Sequence, residues 1–167
     1  MTVRKIVLIV VAVLVVAIVI VIAIGYSLPV AHTASRDATL AVPPDRVFAT
    51  LTGVEGFPKW RSDVTRVEVL SRSPLRWRED GTNGAITFEM AEVQPPSRLV
   101  TRIADTSLAF GGSWLYELAP AGSGTHVTIT ERGEVYNPVF RFMSKYVFGH
   151  TATLDAYLAA LRKQSGS

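Results

Sequence analysis

The residues able to do chemistry are few. His32, His126 and His150 are the only histidines in 167 residues, and no two stand at the four-residue spacing of a helical metal site. Cysteine is absent, which removes thiolate metal sites, disulfides and thiol nucleophiles together. Gly122-Ser123-Gly124 reads as a turn rather than a nucleophile elbow, and no phosphate-cradling or dinucleotide glycine pattern occurs. No metal and no cofactor is therefore expected. Three polar residues fall inside otherwise apolar patterns: Glu79 ends the face begun by Leu75 and Trp77, His150 interrupts a helical stripe, and Arg102 shares a strand face with Val100. A carboxyl in an apolar cavity has a raised pKa and can act as a general acid. A histidine opposite it makes an acid/base pair suited to a dehydration or an aldol-type cyclisation. The structural alternative places Glu79 in water at a hairpin mouth and His150 in a satisfied core hydrogen bond. A one-residue slip in register reverses every such inward assignment.

The apolar residues between them form sets. Trp77 lies with Leu75 on one strand face, Phe88 and Met90 with Ile86 on another, and Trp114 and Tyr116 with Leu118 on a third. From a helix, Phe142, Met143, Tyr146 and His150 face them. Together these residues form an expected aromatic-rich ligand cavity, suited to an apolar molecule with a polar end. The same residues also make an ordinary packed core.

The elements that must position these side chains follow from periodicity. A strand is expected over 36–42, stopped by Pro43-Pro44, then a short helix over 44–51 burying Val47, Phe48 and Leu51. A second helical turn over 54–60 contains Gly56 and Pro58. Strands over 64–70, 76–80, 85–94, 98–104, 113–119 and 125–135 are separated by short turns, including a four-residue loop at 81–84 and a Gly/Ser-rich one at 120–124. Such hairpins build an antiparallel meander, because parallel neighbours need long crossovers. Asn137-Pro138 then caps and starts a helix expected to run to about Arg162, with Val139, Met143, Tyr146, His150, Thr153 or Leu154, Tyr157 and Leu161 in one stripe. A twisted antiparallel sheet of six or seven strands can curve around that long C-terminal helix, which gives an α+β architecture.

Ahead of this domain, residues 6–24 are drawn only from Val, Ile, Leu and Ala. As a helix they extend roughly 28 Å, close to the ~30 Å hydrocarbon core of a bilayer. The run exceeds the apolar stretch of a signal peptide, and no clean A-x-A cleavage sequence follows it. Arg4 and Lys5 precede it, whereas the first base beyond it is Arg36, so the N-terminus is expected in the cytoplasm and the domain outside the cell membrane. The span has no ionisable residue and no G-x-x-x-G pattern, so it reads as a passive anchor. The expected organisation is a cytoplasmic N-terminus (1–5), a transmembrane helix (6–25), a linker (26–34), a folded domain (35–163) and a frayed tail (164–167). Once Arg4 and Lys5 are set aside, the rest of the 17 basic residues are nearly matched by the 14 acidic ones, which leaves no surplus for a nucleic-acid backbone.

Leu40-Ala41-Val42-Pro43-Pro44-Asp45-Arg46-Val47-Phe48, then Phe57-Pro58-Lys59-Trp60, then Asn137-Pro138 opening the last helix, resemble the START-like (SRPBCC) superfamily over about residues 33–162. The leading apolar helix followed by Leu28-Pro29 is similar to membrane-tethered bacterial members. The resemblance implies a helix-grip fold with a hydrophobic cavity, as in polyketide cyclases/dehydrases and lipid-transfer domains, and no particular reaction. The expected function is binding of a hydrophobic small molecule or lipid between sheet and helix. A cyclase/dehydrase-like enzyme using the same cavity, and an envelope interaction module with a filled core, are the alternatives.

Overall fold

A computed structural model describes residues 2–149 and 151–166. Helix α1, Val3–Ser27, holds the whole apolar run and is the one described helix long and apolar enough to cross a membrane. Strand β1 begins almost at once, at Ala31, and runs to Leu40. The linker expected over 26–34 is thus mostly the last turn of α1 and the first residues of β1. Only Leu28, Pro29 and Val30 lie between the two elements.

Pro43-Pro44 ends β1 and opens α2, Pro44–Thr52, with Asp45 in its first turn near the positive end of the helix. Val47, Phe48 and Leu51 are buried, as their spacing requires. A 3₁₀ turn over Val54–Lys59 buries Val54 and Phe57. Six strands follow: β2 (Val64–Arg72), β3 (Leu75–Gly81), β4 (Gly84–Gln94), β5 (Arg98–Ile103), β6 (Phe110–Ala121) and β7 (Gly124–Val135). The sheet order is β1-β7-β6-β5-β4-β3-β2, antiparallel throughout. The loop expected at 81–84 is tighter than its glycines suggested, because Gly81 pairs with Gly84 and only Thr82 and Asn83 turn the chain.

One face of this curved sheet buries Ala38, Leu40, Trp77, Met90, Leu99, Tyr116, Val127 and Ile129. The other carries charge, with Arg76 and Arg102 both reaching Glu89, and Arg98 reaching Glu92 and Glu117. The alternation along each strand sends the apolar set inward and the ion pairs to water.

The C-terminal helix departs from the continuous rod that its stripe predicted. Asn137 does cap it, its side-chain oxygen accepting from the Val139 and Phe140 amides. Helix α3 then covers only Pro138–Met143, a wide π turn follows over Ser144–Phe148, and Gly149 breaks the chain direction at φ 75°. Helix α4, Ala152–Gln164, resumes and packs Leu154, Leu158 and Leu161 into the core against the sheet. Helix α3 packs against the end of α1, and the π turn continues from α3. The molecule is a helix-grip domain in which α4 is the gripped helix.

Candidate functional site

Two clusters on the inward face hold polar groups among aromatic rings. The deeper one is built where the chain leaves the 3₁₀ turn. Arg61 places Nη1 3.1 Å from Glu79, and Glu79 also accepts from the indole Nε1 of Trp77 at 2.8 Å. Asp63 takes the other guanidinium edge at 2.6 Å. Glu79 is only 6% exposed, so this carboxylate sits in the core rather than at the hairpin mouth. Burial disfavours the Arg61 cation, but the hydrogen bond to Asp63 and the charges of Glu79, Tyr157 and Asp63 outweigh it and hold its pKa above the usual arginine value.

Rings enclose this ion pair. The Arg61 guanidinium lies 5.2 Å from the Phe57 ring centre and 5.3 Å from that of Tyr157. Trp60 meets both Phe57 and Tyr157 edge-on. Tyr157 and Tyr116 are hydrogen-bonded to each other, and Tyr116 also to Thr101; burial is the main reason both phenols titrate above the ordinary tyrosine range. Every group here has a partner, and the arrangement braces α4 against the sheet.

The second cluster lies nearer the start of β1. Trp77 stacks on Phe88 at 5.6 Å, and Phe88 meets Trp114 at 6.0 Å, making a row of rings across β3, β4 and β6. The row ends on Glu131, which accepts from Trp114 Nε1 at 3.1 Å and lies 3.4 Å from His32 Nε2. Trp77 is buried, while Phe88, Trp114, Glu131 and His32 are half-buried. The row thus runs from the packed core to a partly open end that carries a base and an acid.

The expected site residues divide accordingly. Trp77, Met90 and Tyr116 are buried core, and Phe88 and Trp114 form the accessible half of the aromatic row. Arg102 points the other way. Leu99 and Thr101 occupy the inward face of β5, and Arg102 alternates with them to pair with Glu89 at 2.7 Å on the solvent side. Arg102 therefore cannot cooperate with Glu79, which projects from the opposite face. Phe142 and Met143 belong to α3, which packs on the end of α1, and Tyr146 to the π turn that follows, where it is exposed and touches Phe142 at 5.1 Å. His150 lies outside the described residues. Sequence reasoning missed Arg61, Asp63, His32 and Glu131. Arg61 directly follows the Pro-x-Trp segment and is drawn inward by Glu79, a long-range pairing with no local periodicity to announce it.

The folding pattern agrees with known proteins. A protein from Thermus thermophilus matches with a TM-score of 0.68 at 20% identity, over 80% of this chain and 97% of that one. A START superfamily protein from Mycobacterium smegmatis matches at 0.64 and 17% identity, over 81% and 97%. A norcoclaurine synthase from Thalictrum flavum, in complex with a transition-state analogue, matches at 0.65 and 10% identity, over 81% and 94%. These likenesses concern the fold. No curated protein matches the sequence significantly. The family model for polyketide cyclase / dehydrase and lipid transport matches residues 31–165, from the first residue of β1 to just beyond α4, and the chain belongs to that family.

Proposed function

We propose that this protein is a single-pass membrane-anchored binding domain that takes an apolar small molecule or lipid against the inward face of its sheet. The carrying observation is the aromatic row Trp77–Phe88–Trp114, buried at one end and half-open at the other, where it meets Glu131 and His32. Rings supply apolar area, worth about 25 cal/mol per Å² removed from water, and the acid–base pair orients a polar end. Family membership supports the same class of ligand. In this reading α1 spans the cell membrane, Arg4 and Lys5 hold the N-terminus in the cytoplasm, and the domain stands outside. His32 follows the end of α1 by five residues, so the open end of the row lies near the bilayer where apolar ligands partition.

The test is native mass spectrometry of the full chain, extracted in mild detergent and exposed to lipid extract. Wild-type protein is expected to retain an apolar ligand, and Trp114→Ala to lose most of it while keeping its fold. Recovery of empty wild-type protein alone sinks the proposal. A cyclase or dehydrase reading is favoured by the 3.4 Å His32–Glu131 contact, an acid/base pair at the end of the row. It predicts that the retained molecule loses water over time in the wild type and not in Glu131→Gln.

A further inference from the structure

Gly25, the first residue after the apolar run, is packed so tightly on Pro138 that a Cβ there would collide with the Pro138 carbonyl oxygen. Residues 6–24 fill roughly 28 Å of a ~30 Å hydrocarbon layer, so Gly25 stands at its boundary. Whatever packs on Gly25 stands there too. The segment in question carries an unusual surface. Phe140 is 53% and Tyr146 57% exposed, with Tyr136, Val139 and Val147 exposed beside them. Elsewhere in the domain, among the described residues, the large exposed apolar side chains are scattered singly: Val30, Leu70 and Val93. Arg141 and Lys145 interleave with the exposed rings, and no acidic residue occurs between Glu134 and Asp155. Arg141 also binds the chain where it leaves α1, donating from Nη1 to the Leu28 carbonyl at 2.9 Å.

Aromatic and aliphatic side chains interleaved with cations, held at the level where a spanning helix leaves lipid, match the chemistry of an interfacial helix in an anionic headgroup layer. We infer that residues 136–147 form a second membrane contact, embedded in the headgroup layer of the same bilayer that α1 crosses. This rests on α1 spanning the membrane. The contact uses Phe140 and Tyr146 as its apolar anchors and Lys145 as its phosphate-facing charge. It also accounts for the departure of α3 from the sheet, since a helix continued over the sheet would carry these side chains away from the bilayer.

The chain has no cysteine, so single cysteines report cleanly. Full-length Phe140→Cys, Tyr146→Cys, Val15→Cys and Leu70→Cys, each labelled with an environment-sensitive fluorophore, would be reconstituted into phosphatidylcholine vesicles with and without phosphatidylglycerol. Nitroxide lipids at shallow and deep positions serve as quenchers. Positions 140 and 146 are expected to shift to the blue and to be quenched several-fold more by the shallow nitroxide than position 70. Adding phosphatidylglycerol should strengthen that quenching, and Lys145→Glu should remove the gain. Position 15 should respond to the deep nitroxide. If 15 is deep while 140 and 146 stay water-like, this inference fails and the anchor stands. If 140 and 146 are shielded from water but unreached by lipid nitroxides, a protein covers the patch and the inference also fails. If 15 lies in water, the anchor reading fails and the inference falls with it.

Discussion

At the scale of residues, the consequential interaction is the buried contact of Arg61 with Glu79. The Arg36–Asp155 pair joins β1 to α4 at 2.8 Å, but both side chains are about half exposed, and such pairs are worth at most about 1 kcal/mol. Three buried leucines on α4, at roughly 1.5–3 kcal/mol each, hold that helix far more strongly. Arg61 and Glu79 are different because water is largely excluded from both. Breaking a buried pair from one side strands the other charge and costs about 3–5 kcal/mol, whereas replacing both with apolar groups is often near neutral. Arg61→Leu and Glu79→Leu are therefore each expected to destabilise the domain by about that amount, with the double variant losing much less than their sum. Denaturant unfolding of the detergent-solubilised full chain, followed by tryptophan fluorescence, measures the coupling. Additive losses would show that the two groups are stabilised separately.

At the scale of elements, the break in the C-terminal helix decides where its side chains go. Gly149 combines φ 75° with ψ 159°, a conformation open to glycine and costly by about 1–3 kcal/mol for other residues. Gly149→Ala is expected to lose about that much stability and to raise amide exchange selectively in 138–148, while α4 and the sheet keep their protection. Uniform exchange across the domain would count against Gly149 as the pivot. The same break explains what the sequence could and could not reveal. Two-residue alternation located β2 to β7 to within three residues, because a sheet with one buried face enforces that period, whereas β1 was expected five residues late, over 36–42 rather than from Ala31. Proline and glycine placed the turns, and Pro44 and Pro138 marked two helix starts. The three- and four-residue stripe from Val139 to Leu161 carried no sign that Leu154 and Leu161 enter the core while Val139 and Tyr146 stay exposed, since a packed core and an exposed apolar patch draw on the same residue types. Glu79 was legible as a polar residue on an apolar face. Its partner Arg61 was not, because the contact joins residues 18 apart through tertiary packing.

At the scale of the whole molecule, the domain is clamped to α1 rather than suspended from it. Leu28, Pro29 and Val30 can span only about 10 Å. The Val135 amide donates to the Val30 carbonyl at 2.9 Å, Arg141 holds the Leu28 carbonyl, and Gly25 abuts Pro138. The short connection and the α1–α3 packing are two separate restraints on how the sheet is oriented relative to α1. Inserting ten Gly/Ser residues between Leu28 and Pro29 adds a coil with an end-to-end distance of about 17 Å, enough to free the first restraint. Gly25→Leu removes the second, because a side chain there must push Pro138 away. Energy transfer from a fluorophore at Leu70→Cys to acceptors on the bilayer surface reads the resulting freedom in reconstituted full-length protein. A narrow distance distribution is expected in the parent and in either single change, and a broad one only when insertion and Gly25→Leu are combined. A broad distribution already in the parent would mean that the domain swings freely on its tether. Under the function proposed above, ligand uptake should follow the same pattern, because an aromatic row with one open end would collect apolar molecules efficiently only while that end stays turned toward lipid.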